Sequence, residues 1–368
     1  MTTDTGRASR YVIVTNIPSP YRNPVYERLP RDHFDVVFCA RTEGNRQWRL
    51  SVPHFSHRFL KECVRNEPDG FNYIHNNPDV WTVLNRLNPE VVVTTGFNPT
   101  HLYAFLWAKC HGARHICMTD GTVQSEAHLS WKHRLVRRVV YAGSHTFIAA
   151  SRSGMELYRG YAVPNEGIFQ SHLCADNARF SALASNTDRP YDVMFSGQLH
   201  ERKLPFLFVD VCSELIKRRG KCRALVLGDG PLRSDVLGRL TDAGVEFDYP
   251  GFVEQADLPA WYSKSRVLLF TTCMDAWGVV ANEALAAGTP VITTPYAGAA
   301  GELVVNGETG LVLTPNADVW ADAIAQLLDD HALWTKFSLA GQKQVAAYNY
   351  QAAADGILAA CRFAMARK

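Results

Sequence analysis

The sequence predicts two doubly wound α/β domains in tandem. Three observations point there. Short apolar runs recur along the chain, each closed by Gly, Pro or a polar turn and followed by a helical stretch, the pattern of parallel strands covered on both faces. The alternation breaks once, at the polar, breaker-rich segment CADNARFSALASNTDRP (174–190), and then restarts. A chain of 368 residues, 47% hydrophobic, can fill two cores of ordinary size.

In order along the chain, RYVIVTNIPSPYRNPVYERL begins as a strand, breaks at Pro18 and Pro20, and resumes as a helix. FDVVFCA is the next strand. WTVLNRLNPEVVVTTGF gives a helix, a turn at Asn88-Pro89 and a buried strand at Val91–Thr95. NPTHLYAFLWAKCHGARHICMTDG repeats that unit, with Gly112 ending the helix before a strand at His115–Thr119. HTFIAAS is a further strand. Beyond the linker, YDVMFSG, CRALVLGDG, VEFDYPGF, RVLLFTT, PVITTP and TGLVLTP repeat the pattern, and 340–368 is helical and Ala-rich. Ligands of open parallel sheets bind at the carboxyl ends of the strands, so two such domains are expected to face each other across a cleft lined by those loops.

Composition excludes several classes. A net charge of +2, without a basic run interleaved with aromatics, argues against nucleic acid. The nine cysteines (39, 63, 110, 117, 174, 212, 222, 273, 361) are scattered without Cys-x-x-Cys spacing, as expected of thiols in a reducing compartment rather than a zinc site. Residues 1–10 lack a signal-peptide core, and no run of about 18 apolar residues exists, so a cytoplasmic protein without a spanning helix is expected.

The stretch CMDAWGVVANEALAAGTP (273–290) carries the chemistry. Asp275 falls in the loop after the strand RVLLFTT, and Glu283 falls inside the helix GVVANEALAAG. The backbone N–H groups of Trp277, Gly278 and Val279 at the helix start form an anion site suited to phosphate. An acid on either side of a bound diphosphate would hold a polyol: a sugar at Asp275, a ribose diol at Glu283.

This block resembles the E-x7-E element of the retaining GT-B glycosyltransferases of family 4, whose pattern is roughly E-G-F-G-x-x-x-x-E-A-x-A-x-G-x-P, against D-A-W-G-V-V-A-N-E-A-L-A-A-G-T-P here. FSGQLHERK (195–203) resembles the family's diphosphate-binding strand and turn, with Gly197, Gln198, Arg202 and Lys203. LGDGPLR (227–233) resembles its G-x-G-P-x turn, with Gly228 and Gly230. YPGFVEQADLPAWYSKSRVLLFTT resembles the base-binding loop, with Phe252 and Val253, and GELVVNGETGLVL the strand-turn that follows. The resemblance covers nearly all of the second half. In the first half it rests on IPSPYR, with Pro18, Tyr21 and Arg22, and on strand order; Gly96, His101 and Asp120 sit in loops of the same kind.

The resemblance implies a GT-B fold: a first Rossmann-like domain (1–174) for the acceptor, a second (175–345) for the nucleotide sugar, and a C-terminal helix (346–368) returning to the first. It implies a retaining glycosyltransferase that moves a hexose-type sugar from a nucleoside diphosphate, UDP ahead of GDP, to a hydroxyl acceptor of glycan, lipid-linked or small-molecule type. Asp275, Lys203, Arg202 and Asp120 are the expected catalytic residues. Glu283, Gly197, Gln198, Gly228, Gly230, Phe252, Val253, Ala276, Trp277, Gly278 and Val279 are expected to bind the donor, and Pro18, Tyr21, Arg22, Gly96 and His101 to line the acceptor side or the loops of the first domain. Three positions depart from the family pattern. Asp275 replaces a Glu, with Trp277 in place of Phe offering a larger face to a sugar ring. Gln198 replaces an Arg, whose charge Arg202 or Lys203 could supply. Asp120 stands where many relatives have a His beside the reacting carbon.

Each choice has a plainer competitor. Glu283 could complement the helix dipole, Asp275 could be a turn residue, and Arg202 and Lys203 could be surface charges. Gly228 and Gly230 could make only a tight turn, and His101 could be a packing or capping residue. In HLSWKHRLVRRVVYAG (128–143), the wheel sets Leu135, Val136, Val139 and Val140 opposite Arg134, Arg137 and Arg138. This is either a solvated helix over the first core or a peripheral contact with the inner membrane face. The two acids are not a glycosidase pair, which needs carboxylates about 5 Å apart around one carbon. No Asp-x-Asp occurs, so neither metal nor other cofactor is expected. A nucleotide-sugar epimerase of the same fold and a catalytically dead binding subunit remain alternatives.

Overall fold

The computed structural model describes residues 10–48, 52–66, 73–186 and 188–366. The chain divides into two compact units, Met1–Leu173 with Tyr350–Lys368, and Cys174–Asn349.

In the first unit the strands are β1 (Tyr11–Thr15), β2 (Phe34–Phe38), β3 (His57–Phe59), β4 (Val64–Asn66), β5 (Tyr73–His75), β6 (Val91–Thr94), β7 (Arg114–Thr119), β8 (Thr146–Ala149) and β9 (Ile168–Gln170). Seven form one sheet in the order β3-β2-β1-β6-β7-β8-β9, paired parallel throughout. β4 and β5 make a separate antiparallel pair. Every residue of β1, β2, β6 and β8 is buried, as a sheet covered on both faces requires. Val12, Val14, Val37 and Val92 pack on Leu84 and Trp107 of the flanking helices Val80–Leu87 and Pro99–Cys110. The chain crosses from β1 to β2 on one side and to β6 on the other. The loops after β1 and β6 therefore lie at the switch point where this sheet type places its ligands.

The second unit repeats the plan with β10 (Tyr191–Ser196), β11 (Arg223–Leu227), β12 (Glu246–Gly251), β13 (Ser265–Phe270), β14 (Val291–Thr293) and β15 (Gly310–Val312). Their order is β12-β11-β10-β13-β14-β15, again parallel. Val193, Phe195, Val226, Val267 and Leu269 meet Phe208 and Leu215 of helix Pro205–Arg219 and Trp320 and Ile324 of helix Ala317–Asp329. The switch point here lies between β10 and β13, the strands that lead into the Arg202-Lys203 turn and the Asp275 loop.

The apolar runs of the sequence all appear as strands. Sequence reasoning missed β3, β4, β5 and β9, which are three residues each and less buried than the central strands. The Ala-rich tail is two helices, His331–Val345 and Tyr350–Ala366. The second packs on β7, β8 and β9 of the first unit, and Thr146 Oγ1 donates to Ala360 O at 3.3 Å.

The basic helix corrects the wheel. Of its apolar arc only Val140 is buried in Trp131–Gly143, and Val136 is partly buried. Leu135 and Val139 are 51% and 56% exposed. Arg137, assigned to the solvated side, turns inward: its Nε donates to the buried Glu126 at 2.6 Å and its guanidinium lies 4.2 Å from the Phe97 ring centre. A buried acid beside the helix outweighs the wheel.

Gly356 sets how closely the last helix approaches β9, since a Cβ there would lie 1.8 Å from Gln170 O. Gly356→Ala is expected to destabilise the protein by about 2 kcal/mol through overpacking, read as a lower urea midpoint. An unchanged midpoint would show that the helix is free to shift outward.

Candidate active site

In the second unit the site is built from loops after adjacent strands. The turn Glu201–Lys203 follows β10, and the loop from Thr271 follows β13. Thr271 Oγ1 donates to Lys203 O at 2.7 Å, while Thr272 Oγ1 and Cys273 N both donate to Arg202 O at 3.0 Å. These bonds fix the backbone of two cationic residues against the loop that carries Asp275. The Lys203 ammonium pairs with Asp275 Oδ2 and lies 5.3 Å from the Phe270 ring centre. Asp275 Oδ1 accepts from Trp277 N at 3.0 Å. Burial works to raise the Asp275 carboxyl. The Lys203 charge and hydrogen bond, the Trp277 N–H and Arg202 together outweigh it and hold the group below its ordinary range. His200 packs under the turn, its Nδ1 accepting from Arg202 N at 3.1 Å. Burial and the two neighbouring cations depress it to about 4, so it is neutral at physiological pH.

The helix Val279–Ala286 starts at Gly278, whose φ of +96° and the 2.1 Å approach a Cβ would make to the Phe270 ring both require glycine. Ala281 N donates to Gly278 O at 2.9 Å, so the N–H groups of Gly278, Val279 and Val280 lie ahead of the first helical bond, beside Lys203 and Asp275. Ala276 is half-buried in the same loop. Trp277 departs from expectation. Its side chain is fully buried, its indole N–H donates to Asn282 Oδ1 at 2.7 Å, and its ring packs on Tyr348. No face is left for a sugar ring.

Glu283 lies one turn further into that helix and is 1% exposed. The Tyr262 hydroxyl donates to its Oε2 at 2.7 Å and sits 2.8 Å from Ser196 Oγ, at the end of β10. Oε1 is buried and meets no donor at full hydrogen-bond geometry among the described residues, although the Gln255 side chain lies near enough to act on the carboxyl as a weaker hydrogen bond. Burial pushes the carboxyl up to about 7, against the lowering effect of Tyr262 and Gln255.

Gly197 and Gln198 follow β10 half-buried. Gly228 and Gly230 have a packing reason of their own: a Cβ at either would lie 2.0 Å from Gly197 O or 2.4 Å from Leu199 O. The turns after β10 and β11 thus touch backbone to backbone. Phe252 is 38% exposed and Val253 half-buried, just past β12.

In the first unit Arg22 is a buried anchor. Its Nη1 donates to Ser171 O at 3.0 Å, Ser171 Oγ at 3.1 Å and His172 O at 3.4 Å, while Nη2 donates to Asp120 Oδ1 at 2.8 Å. The Asp120 side chain remains 45% exposed at the end of β7. Pro18 is buried, Gly96 is half-buried, and Tyr21 packs edge-on against Trp48. His101 does not face solvent. It is 1% exposed beneath Gly96, where a Cβ would come within 3.3 Å of its ring, and burial depresses it to about 3. Its ring thus packs beneath the loop after β6 rather than lining the loop's surface.

The profile described as "Glycosyl transferases group 1" matches residues 190–330, and that described as "Glycosyl transferase 4-like domain" matches residues 18–170. A D-inositol 3-phosphate glycosyltransferase of Rhodococcus opacus is 30% identical over 378 residues, spanning 96% of this chain and 81% of that protein. The chain belongs to the family 4 glycosyltransferases. The alpha-D-kanosaminyltransferase of Streptomyces kanamyceticus is 25% identical over 234 residues, 60% of each chain. In fold, the glycosyltransferase matches Anabaena HepE in complex with UDP, with a TM-score of 0.75 at 15% identity over 95% of this chain and 98% of that one. The fold is GT-B, with two Rossmann-like domains.

Sequence reasoning missed Tyr262, Ser196 and Gln255 around Glu283, and Thr271 and Thr272 under the cationic turn. The TT closing RVLLFTT was the one available signal, since two hydroxyls at a strand's carboxyl end are natural clamps for a neighbouring turn. Among the described residues, no group of three or more His, Cys, Asp or Glu side chains could hold a metal ion.

The raised Glu283 pKa makes stability pH-dependent. In the folded state Glu283 keeps its proton to about pH 7, whereas the unfolded state loses it near 4.5. Its burial is therefore tolerated below that lower value, and stability falls as pH rises through about 7. Glu283→Gln is expected to melt higher than the parent at pH 8 and to lose that advantage towards pH 5 in thermal scans. Parallel profiles for the two proteins would refute the raised pKa.

Proposed function

We propose that this glycosyltransferase moves a hexose-type sugar from a UDP-sugar to a hydroxyl acceptor with retention at the anomeric carbon. The observation that carries the donor reading is the buried, half-satisfied Glu283 beside a helix start and two clamped cations. Buried polar atoms without partners are rare and call for an explanation. A ribose diol supplies the donors that Oε1 lacks, the N–H groups of Gly278–Val280 with Arg202 and Lys203 receive the diphosphate, and Asp275 holds hydroxyls of the transferred sugar. Trp277 contributes to this site through its backbone alone. UDP is favoured because Anabaena HepE, similar in fold, has been crystallised in complex with UDP and with UDP-glucose.

In the proposed reaction the bond from the sugar C1 to the β-phosphate oxygen breaks, and the acceptor oxygen bonds to C1 on the same face. The acceptor proton passes to the departing phosphate oxygen. Charge growing on the diphosphate is met by Lys203, Arg202 and the helix N–H groups, fixed in place before reaction. These groups supply the charge that a metal-bridged diphosphate takes from its ion, so no metal is proposed. On the first unit Asp120 presents its exposed carboxylate to an acceptor hydroxyl, and Arg22 positions it. The acceptor class is a glycan, a lipid-linked glycan or a small polyol. A small polyol has support from the relative in Rhodococcus opacus, a D-inositol 3-phosphate glycosyltransferase.

Lys203 and Asp275 pair with each other in the absence of donor, so the diphosphate competes with Asp275 for the ammonium. Asp275→Asn is expected to bind UDP as well as or better than the parent, while sugar transfer falls at least about a hundredfold. Calorimetry with UDP and a transfer assay with UDP-sugars check the two halves. Loss of UDP affinity would make Asp275 a loop-shaping residue instead. Lys203→Ala is expected to lower kcat more than donor affinity, and a chelator should leave the rate unchanged. Proton NMR of the product should show the donor's anomeric configuration preserved; an inverted product would overturn the mechanism.

A further inference from the structure

Glu283 has a partner on which its geometry depends. Tyr262 ends the short helix Leu258–Tyr262 and is fully buried. Its carbonyl accepts from Thr289 Oγ1 at 2.9 Å, and its ring meets Phe180 edge-on, with the ring centres 5.5 Å apart. Backbone and ring are thus both held, and the hydroxyl is set between two oxygens. Glu283 Oε2 lies 2.7 Å away and Ser196 Oγ 2.8 Å away. Ser196 is the last residue of β10. The Tyr262 hydroxyl therefore joins the motif helix to the strand that runs into Gly197 and the Arg202-Lys203 turn.

A phenol has one proton to give, and an ionised carboxylate only accepts. With Glu283 ionised, the phenol proton goes to Oε2, and the Ser196 hydroxyl donates in turn to the phenol oxygen. A donor bonded to the charged form of an acid favours that form, and charge-assisted bonds of this kind are the stronger ones. The ionised form is also the one that accepts from a ligand hydroxyl. With Oε2 engaged by Tyr262, Oε1 is the oxygen available for that purpose. We propose that Tyr262 and Ser196 are positioning residues for ribose recognition: together they hold Glu283 ionised and oriented, so that Oε1 selects a ribonucleotide over its deoxy analogues. The proposal rests on the donor reading of Glu283, and both hydroxyls act through that carboxylate.

The test is calorimetric titration of the full chain with UDP, 2′-deoxy-UDP and 3′-deoxy-UDP. The parent is compared with Tyr262→Phe, Ser196→Ala and Glu283→Gln. The parent is expected to prefer UDP over at least one deoxy analogue by at least about tenfold, as a hydrogen bond to a charged group allows. Tyr262→Phe keeps the ring against Phe180 and removes only the hydroxyl. It should shrink the preference to within about threefold by weakening UDP while leaving the deoxy analogue nearly unchanged. Ser196→Ala should shrink the preference in the same direction, and Glu283→Gln should abolish it. Melting temperatures report separately whether each variant is folded. A residue that only supports the fold would weaken all three ligands alike. Should either hydroxyl variant fold and keep the parent's preference, or lose affinity equally for all three ligands, the positioning proposal fails while the ribose reading of Glu283 stands. A parent without preference, or a preference that Glu283→Gln leaves intact, would overturn the ribose reading and this proposal with it.

Discussion

The second unit's chemistry depends on one constraint: the backbone of Arg202 and Lys203 is tied to the end of β13 by Thr271, Thr272 and Cys273. β10 and β13 are neighbours in the sheet though far apart in sequence, so the loops that follow them meet. Once they meet, a lysine side chain on one finds a carboxylate on the other. The resulting pair is mostly shielded, its side chains 16% and 19% exposed. Removing one partner of such a pair leaves an uncompensated charge. The cation is thus positioned before any ligand arrives, and a bound diphosphate inherits that position at little cost in ordering.

Glu283 is the complementary element. Burying a carboxylate is expensive unless its oxygens are hydrogen-bonded, and here one oxygen is served by Tyr262 while the other meets no donor at full hydrogen-bond geometry among the described residues, with Gln255 acting only weakly on the group. Burial accordingly raises the pKa to about 7. The two acids of the motif are therefore in opposite states. Asp275 is held ionised by a lysine, and Glu283 is held near its titration point by burial. One helix start separates them, its first N–H groups lying ahead of the first helical hydrogen bond. Such an arrangement has stability to lose in the absence of ligand, as binding sites commonly do.

Most of the architecture was legible in the sequence because parallel strands covered on both faces write themselves as uninterrupted apolar runs. RYVIVT, VVVT, YDVMF and RVLLF could be placed without tertiary knowledge. β3 (His57–Phe59) and β4 (Val64–Asn66) could not, because short strands with exposed side chains carry no such run. The motif block gave Asp275 and Glu283, while their partners came from elsewhere: Tyr262 lies 21 positions before Glu283, and Lys203 lies 72 positions before Asp275. Two side chains were misplaced for local reasons, Trp277 by the family pattern and Arg137 by periodicity. Trp277 turned into the core because Asn282 offered its indole a partner, and Arg137 turned inward to a buried Glu126. Those reasons depend on neighbours that only the fold brings together.

The account's central claim is that a nucleotide's ribose completes the hydrogen bonding of Glu283. Donated hydroxyls stabilise the carboxylate, so binding should lower its pKa from about 7 and release its proton. Calorimetric titration of UDP at about pH 6.5, in buffers of different ionisation enthalpy, counts that proton. Glu283→Gln serves as the reference that cancels any proton from the nucleotide itself. The account predicts net proton release from the parent in excess of the variant. Equal proton counts with comparable affinity would contradict it, and Glu283 would then be a buried structural acid with no part in nucleotide recognition.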